Sequence, residues 1–415
     1  MARLPYPVYD ADNHLYEPEE AMTAHLPRKW KNEFRYVQVE GRTKLAIGGV
    51  ISDYIPNPTF EVLAAPGTHE KWYRAQNYEG RSLRELSGKP ISCIPAYRNG
   101  ADRLKLMDEQ GLHATLIFPT LASAVEERMS YDHALMNAVL HSLNEWLHAE
   151  WGFHREERIF TVPFITLMDV DMAVAELDWA LARGARSVGL RPAPVPGYRG
   201  SRSPGAPEFD PFWARVEEAG IFVSLHASDS GYDRFVRMWE GGKEFLAFVP
   251  TPLKQCLAIA DRAISDAIAA LICHGMFDRF PGVRIASIEN GSKWVKGLFE
   301  RFEHAYGQMP KEFKRHPLEA FRRHVSVAPF YEEPIDQLAE LIGVSQVLFG
   351  SDYPHPEGLA NPVDFVKELS KLGAGDQQRI MSTNLKALLD GAPLHSEGSW
   401  SSSSMRPRTA SRRSR

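Results

Sequence analysis

The chain is poor in cysteine and has no long apolar run. Its 415 residues include three cysteines, Cys93, Cys256 and Cys273, none in a Cys-x-x-Cys pair. That excludes a disulfide framework and a thiolate zinc site. No stretch approaches the ~20 consecutive apolar residues of a membrane-spanning helix, and the first residues lack the apolar segment of a secretory leader. Excess positive charge is also missing. Lys and Arg total 48 against 53 Asp and Glu, a formal net charge of -5, which speaks against nucleic acid or an anionic membrane as the main partner. No internal repeat is evident. The rest is ordinary globular composition, 44% hydrophobic and 24% charged, with ample material for a large core. A cytoplasmic protein with a small-molecule substrate is the expectation.

Short β-rich runs alternate with amphipathic segments of helical length, a pattern that favours a parallel α/β sheet or barrel. The expected strands are Pro7–Asp12, His113–Phe118, Ile159–Ile165, Ser187–Leu190, Ile221–His226, Val283–Glu289, His324–Ala328 and Gln346–Asp352. Helices are expected over Ala101–Gln110, Tyr131–Trp151, Asp171–Ala182, Pro211–Ala219, Leu253–Ile272, Trp294–Tyr306 and Pro334–Ile342, then Pro362–Leu372 and Asp376–Leu389. Gly111, Gly184, Gly220 and Gly343 suit left-handed helix ends. The order matches a (β/α)8 TIM barrel in one domain over residues 1–393, with a doubly wound sheet as the alternative.

Two segments break the rhythm. Lys31–Asn99 is too long for a βα loop. Alternation around Glu40-Gly41 predicts a hairpin there, and Pro56–Pro95 reads as irregular. The whole is expected to be an insertion after strand 1, serving as a lid over the barrel's active end or as an arm that makes a homodimer. From residue 394 the chain is Ser/Arg-rich with almost no apolar content, so a disordered tail is expected.

Chemistry-bearing residues fall at strand ends. Asp12 and His14 sit two apart on an extended segment and so share a side. Leu225-His226 and Ser351-Asp352 close two other apolar runs. In a parallel barrel these ends meet at one rim, so Asp12, His14, His226 and Asp352 read as one metal site. Two imidazoles and two carboxylates suit Zn²⁺ or Mn²⁺. Arg191 ends strand 4, where its fork fits a substrate carboxylate or an ion pair closing the rim. Glu289 ends strand 6, and His355 follows Asp352 closely as a further substrate-binding candidate. Each of these residues alone has a plain structural reading: a core histidine for His226, a turn-forming carboxylate for Asp352.

These segments carry a family resemblance. Asp10-Ala-Asp-Asn-His-Leu-Tyr-Glu-Pro, Gly189-Leu-Arg-Pro, Val-Ser-Leu-His226, Gly275-Met-Phe-Asp-Arg-Phe-Pro-Gly-Val-Arg-Ile and Phe349-Gly-Ser-Asp-Tyr-Pro-His-Pro-Glu resemble the amidohydrolase-related family of the amidohydrolase superfamily. The likeness is to the branch holding aminocarboxymuconate-semialdehyde decarboxylase and the dihydroxybenzoate-type decarboxylases. It implies a distorted barrel with one catalytic metal at the positions of Asp12, His14, His226 and Asp352. Strand 4 carries no lysine that could bridge a second ion. Two departures stand out. The family's widespread His-x-His on strand 1 is Asp12-Asn13-His14 here. Its strand-6 His before Gly-Gly is replaced by Ile288-Glu289-Asn290-Gly291, which leaves Glu289, or more weakly His274, to move protons.

The expected activity is nonoxidative decarboxylation of a small organic or aromatic acid, with Glu289, Asp352 and His226 in the catalytic set. Metal-dependent hydrolysis of an amide, lactone or related carbonyl compound would use the same ligands. A metal-binding barrel without turnover is the third reading.

Overall fold

A computed structural model describes residues 4–52, 54–241 and 249–391. The tail expected from residue 394 lies outside these residues. Parallel strands run through the centre of an α/β arrangement related to (β/α)8 barrels. Ala114–Pro119 pairs in parallel with Tyr9–Asp10, His14–Leu15 and Ile159–Thr161. Ser187–Leu190, Phe222–His226, Arg284–Ile288 and Val325–Val327 form a second run of parallel neighbours. A single bridge, Phe164 to Gly189, joins the two sets. All residues of Ala114–Pro119 and Phe222–His226 are buried, as expected of strands covered on both faces. Their apolar side chains belong to one contiguous core.

The expected eighth strand is the main departure. Gln346–Asp352 forms no regular strand; Val347 makes one bridge to Val327. It still runs between its neighbours: Leu348 N–H donates to Val327 O at 2.9 Å and Ala11 N–H to Phe349 O at 2.8 Å. The buried Asp10 carboxylate replaces ladder bonds here, accepting from Ser351 N–H at 3.0 Å and Ser351 Oγ at 2.6 Å. Strand 1 is split in the same place, into Tyr9–Asp10 and His14–Leu15, and the Asp10 side chain supplements the backbone bonds of this junction, such as His14 N–H to Tyr353 O at 2.7 Å.

Helix positions follow the apolar periodicity closely, as in Gly100–Gln110, Val170–Leu181, Asp210–Ala219 and Lys293–Gln308. Gly111 and Gly220 end two of them in the left-handed conformation, whereas Gly343, at φ 95° and ψ 138°, does not. The helix expected over Leu253–Ile272 is two, Pro252–Leu257 and Ile259–Cys273. Ala258 between them is left-handed at φ 45°, a conformation that costs an alanine roughly 1–2 kcal/mol and has no sequence signal. Pro362–Leu369 is a 3-10 helix, and the last helical stretch contains a π turn at Arg379–Thr383. Among the described residues no helix is long and apolar enough to cross a membrane.

Within the insertion, Phe34–Val39 pairs antiparallel with Arg42–Ile47. Glu40 and Gly41 form the turn, both with positive φ (49° and 75°), as a two-residue hairpin requires. Pro56–Pro95 is less irregular than expected: Val62–Leu63 pairs with Ile91–Ser92, and two short helices, Glu70–Tyr73 and Leu83–Ser87, lie between. This segment rests on the chain that follows Asp352. His69 N–H donates to Pro356 O at 2.9 Å, and Arg74 Nη2 lies 2.7 Å from Glu368 Oε1.

Away from that end, His324 is buried against Phe277 with ring centroids 4.5 Å apart. Its Nδ1 donates to Val283 O at 2.8 Å, and Nε2 is buried with no partner. Burial holds the imidazole down to about 4. The unfolded chain, with the ordinary value near 6.5, therefore binds a proton in that window that the folded protein refuses. Stability is intact above about pH 6.5 and falls as pH drops toward 4, by on the order of 3 kcal/mol. His324→Asn should lose less stability than the parent between pH 7 and pH 4.5 in urea unfolding. Parallel losses would show that His324 is not the source.

Candidate metal centre

The C-terminal ends of the parallel strands bring together Asp12, His14, His226, Glu289, Asp352 and His355. His226 is the last residue of its strand, and Glu289 follows Arg284–Ile288 directly. Asp352 is drawn in by its own N–H, which donates to Asp12 O at 2.9 Å. His14 Nε2 lies 3.3 Å from Asp12 Oδ1, 3.6 Å from Glu289 Oε2 and 3.5 Å from Asp352 Oδ1. His226 Nε2 lies 3.2 Å from Glu289 Oε2 and 3.7 Å from Asp12 Oδ1.

These spacings are those of ligand atoms around one ion. Bonds of ~2.0–2.2 Å in tetrahedral geometry separate neighbouring ligand atoms by about 3.3–3.6 Å. His226 Nδ1 sits 2.9 Å from Ala227 O; a carbonyl only accepts, so the proton is on Nδ1 and Nε2 offers a lone pair. His14 Nε2, His226 Nε2 and Asp12 Oδ1 are buried without hydrogen-bond partners, although buried polar atoms nearly always have one. A cation supplies the missing partner. The group Asp12, His14, His226 and Glu289 overlaps the group His14, Glu289, Asp352 and His355. Because they share His14 and Glu289, they make a single divalent-metal site.

Charge points the same way. Burial pushes the Asp12 carboxyl up, but the close approach of the His14 and His226 imidazoles outweighs it and brings it down to about 2. Glu289 is raised well above the carboxylate range by burial, then by the charges of Asp352 and Asp12. Burial, Glu357 and Asp12 raise Asp352 likewise, and burial and the nearby His355 hold His14 well below its usual value. Packed carboxylates that raise one another are the electrostatic complement of a divalent cation. Glu289 and Asp352 also stand on left-handed backbone, at φ 57° and 54°. Such strain clusters where side-chain direction matters.

Four side chains hold this end in place. Asp10 accepts from Ser351 as described above, and also from Asp12 N–H at 3.1 Å and Asn13 Nδ2 at 3.0 Å. Burial nevertheless lifts it to about 7. Arg103, 1% exposed, donates to Asn13 Oδ1, to His14 O at 2.6 Å and to Ala96 O at 2.7 Å. Glu17 Oε1 accepts from Leu121 N–H at 2.7 Å and Ala122 N–H at 3.3 Å, fixing the loop after the second strand. From that loop Thr120 Oγ1 reaches His355 Nε2 at 3.1 Å.

Of the expected ligands, Asp12, His14 and His226 fall in one group together with Glu289, and Asp352 falls in the overlapping group with His14, Glu289 and His355, its Oδ1 3.5 Å from His14 Nε2. Asp352 Oδ1 also meets His355 Nδ1 at 2.6 Å. Arg191 is committed elsewhere. Its Nη1 donates to Glu127 Oε2 at 2.5 Å and Asp229 O at 3.1 Å, and Nε lies 3.8 Å from Glu126, so the ion-pair reading applies and not the free fork. His274 bonds Ser203 at 2.8 Å beside a helix end and joins neither group. Thr120, Glu17, Asn13 and Arg103 were not anticipated. Thr120 had a usable signal, being a polar residue two positions after an expected strand.

A family profile described as amidohydrolase matches residues 93–390. The chain belongs to the amidohydrolase family. Similar proteins include the γ-resorcylate decarboxylase of Rhodococcus jostii (strain RHA1), 26% identical over 302 residues that cover 69% of this chain and 86% of the relative. The crystal structure of an amidohydrolase from Mycobacterium avium subsp. paratuberculosis K-10 is 41% identical, with a TM-score of 0.88 over 93% of this chain and 100% of that one. A dihydroxybenzoic acid decarboxylase from Polaromonas sp. JS666, solved with manganese and 2-nitroresorcinol, shares the fold at a TM-score of 0.58 and 15% identity, covering 92% of this chain and 97% of that one.

This amidohydrolase should purify with about one divalent ion per chain, and His226→Ala should lower that content at least tenfold without unfolding the protein, as loss of a ligand does. Elemental analysis alongside circular dichroism reads both. An unchanged metal content in folded H226A would remove His226 from the site.

Proposed function

We propose that this amidohydrolase is a metal-dependent nonoxidative carboxy-lyase acting on a small organic or aromatic acid. The observation that carries this reading is the Asp352–His355 pair, 2.6 Å apart, beside the candidate ligands. Decarboxylation leaves a carbon that needs a proton, and this pair is an acid at the rim of the metal site. The names of the curated relatives, γ-resorcylate decarboxylase and the 2-amino-3-carboxymuconate-6-semialdehyde decarboxylase of Dictyostelium discoideum, agree with it.

Asp12, His14, His226 and Glu289 would hold Zn²⁺ or Mn²⁺. When bound, such an ion supplies a template and electron sink for a carboxylate and a neighbouring oxygen. The protein does the rest. His14 and His226, locked by burial, fix the direction from which the substrate is gripped. Asp352, backed by His355, delivers a proton to the carbon bearing the carboxylate. The bond to that carboxylate then breaks, its electron pair returns to the substrate and CO₂ leaves. The pair regains its proton from water. We further propose that the links at Val327–Val347 and Ala11–Phe349 close the strands into a (β/α)8 barrel. Residues 31–99 would act as the lid, since His69 N–H in that segment donates to Pro356 O, just after Asp352 in the chain, at 2.9 Å.

The test is release of CO₂ from hydroxylated aromatic acids, run against release of acid from amides and lactones. Turnover of the second set alone would replace the carboxy-lyase with a hydrolase. Two variants separate the roles of the carboxylates. Asp352→Asn should keep the metal and lower kcat by ~10²–10⁴-fold, the usual worth of general acid–base catalysis, whereas Glu289→Gln should lose metal. The reverse pattern would return Asp352 to the ligand set and make Glu289 the proton donor.

A further inference from the structure

The hydroxyl of Thr120 has two partners and one proton. It lies 2.9 Å from Leu15 O and 3.1 Å from His355 Nε2. A backbone carbonyl has nothing to donate, so the hydroxyl proton goes to Leu15 O and the Thr120 oxygen is left to accept. His355 Nε2 must therefore carry a hydrogen. At the other end of the ring, 2.6 Å between Nδ1 and Asp352 Oδ1 needs one proton on that line. The geometry holds the loop as well as the hydroxyl, because the Glu17 carboxylate fixes the next two backbone N–H groups, of Leu121 and Ala122.

We infer that Thr120 is a positioning residue that sets the tautomer of His355, keeping the Nε2 hydrogen turned away from the reaction and the transferable proton on the Asp352 side. This rests on the proposed acid role of the Asp352–His355 pair. With Nε2–H held by Thr120, His355 cannot present Nδ1–H as its only hydrogen, so Nδ1 is the ring atom left to meet Asp352 Oδ1. Asp352 Oδ1, 3.5 Å from His14 Nε2, is the end that faces the candidate ligands.

The test uses the Zn²⁺-loaded full chain, with Thr120→Val removing the acceptor at equal size and Thr120→Ser restoring it. ¹⁵N-resolved imidazole spectra should show His355 protonated at Nε2 in the parent and in T120S, and a shift toward the Nδ1–H form in T120V. On the best acid substrate, T120V should lose about 10–100-fold in kcat, the usual cost of removing the partner of a site histidine. KM should stay within about threefold, metal content should not change, and T120S should recover most of the loss. An unprotonated His355 Nε2 in the parent, or kcat unchanged in T120V, overturns the inference, as does T120S behaving like T120V. The spectra need no substrate. If no acid releases CO₂ while the tautomer follows Thr120, the carboxy-lyase reading fails and the assignment of Thr120 stands.

Discussion

Two buried carboxylates, Asp12 and Asp352, and the partly buried Glu289 surround the imidazoles of His14 and His226 at one end of the parallel strands, and the rest of this end is organised by that charge. Burying like charges together is unfavourable by several kcal/mol unless a counter-charge joins them. Glu289 and Asp352 show the strain in their raised proton affinities, and His14, His226 and Asp12 show it as buried atoms without partners. One divalent cation satisfies all of these at once. Arg103 does not substitute for it, since its three donor contacts are to Asn13, His14 O and Ala96 O.

The same constraint accounts for the irregular first and eighth strands. A regular ladder would spend Asp12 and Asp352 as ordinary strand residues pointing alternately in and out. Instead Asp10 ties Ser351 and Asn13 through its carboxylate, and Asp352 adopts a left-handed backbone that turns its side chain toward His14 and His355. Gly350 is needed beside them: a Cβ there would lie 2.7 Å from the Asp12 Cβ. Regular hydrogen bonding is given up where side-chain direction matters, a common arrangement at functional sites.

Much of this was legible in the sequence, because strand ends in a parallel α/β fold point the same way. Asp12, His14, His226, Glu289 and His355 could be placed at one end from their positions after apolar runs, and the helices from their periodicity. Proton and ligand roles were harder to read. Glu289 and Asp352 have the same chemistry and approach His14 Nε2 at 3.6 and 3.5 Å, so residue type and spacing alone do not separate a ligand from a proton donor. Arg191 carried the right motif, yet Glu126 and Glu127, some 65 residues earlier, claim its guanidinium. Thr120 is a neutral hydroxyl, and its contact with His355 depends on a loop fixed by Glu17 from far earlier in the chain. The break at Ala258 leaves no trace in the sequence.

The central claim is that one cation sits among Asp12, His14, His226 and Glu289. Crystals grown with Mn²⁺ and measured for anomalous scattering test it most directly. The account predicts one strong peak within about 2.3 Å of His14 Nε2, His226 Nε2 and a Glu289 oxygen, consistent with Mn/Zn–ligand distances. No peak there, or one bound only by Asp352 and His355, would contradict it.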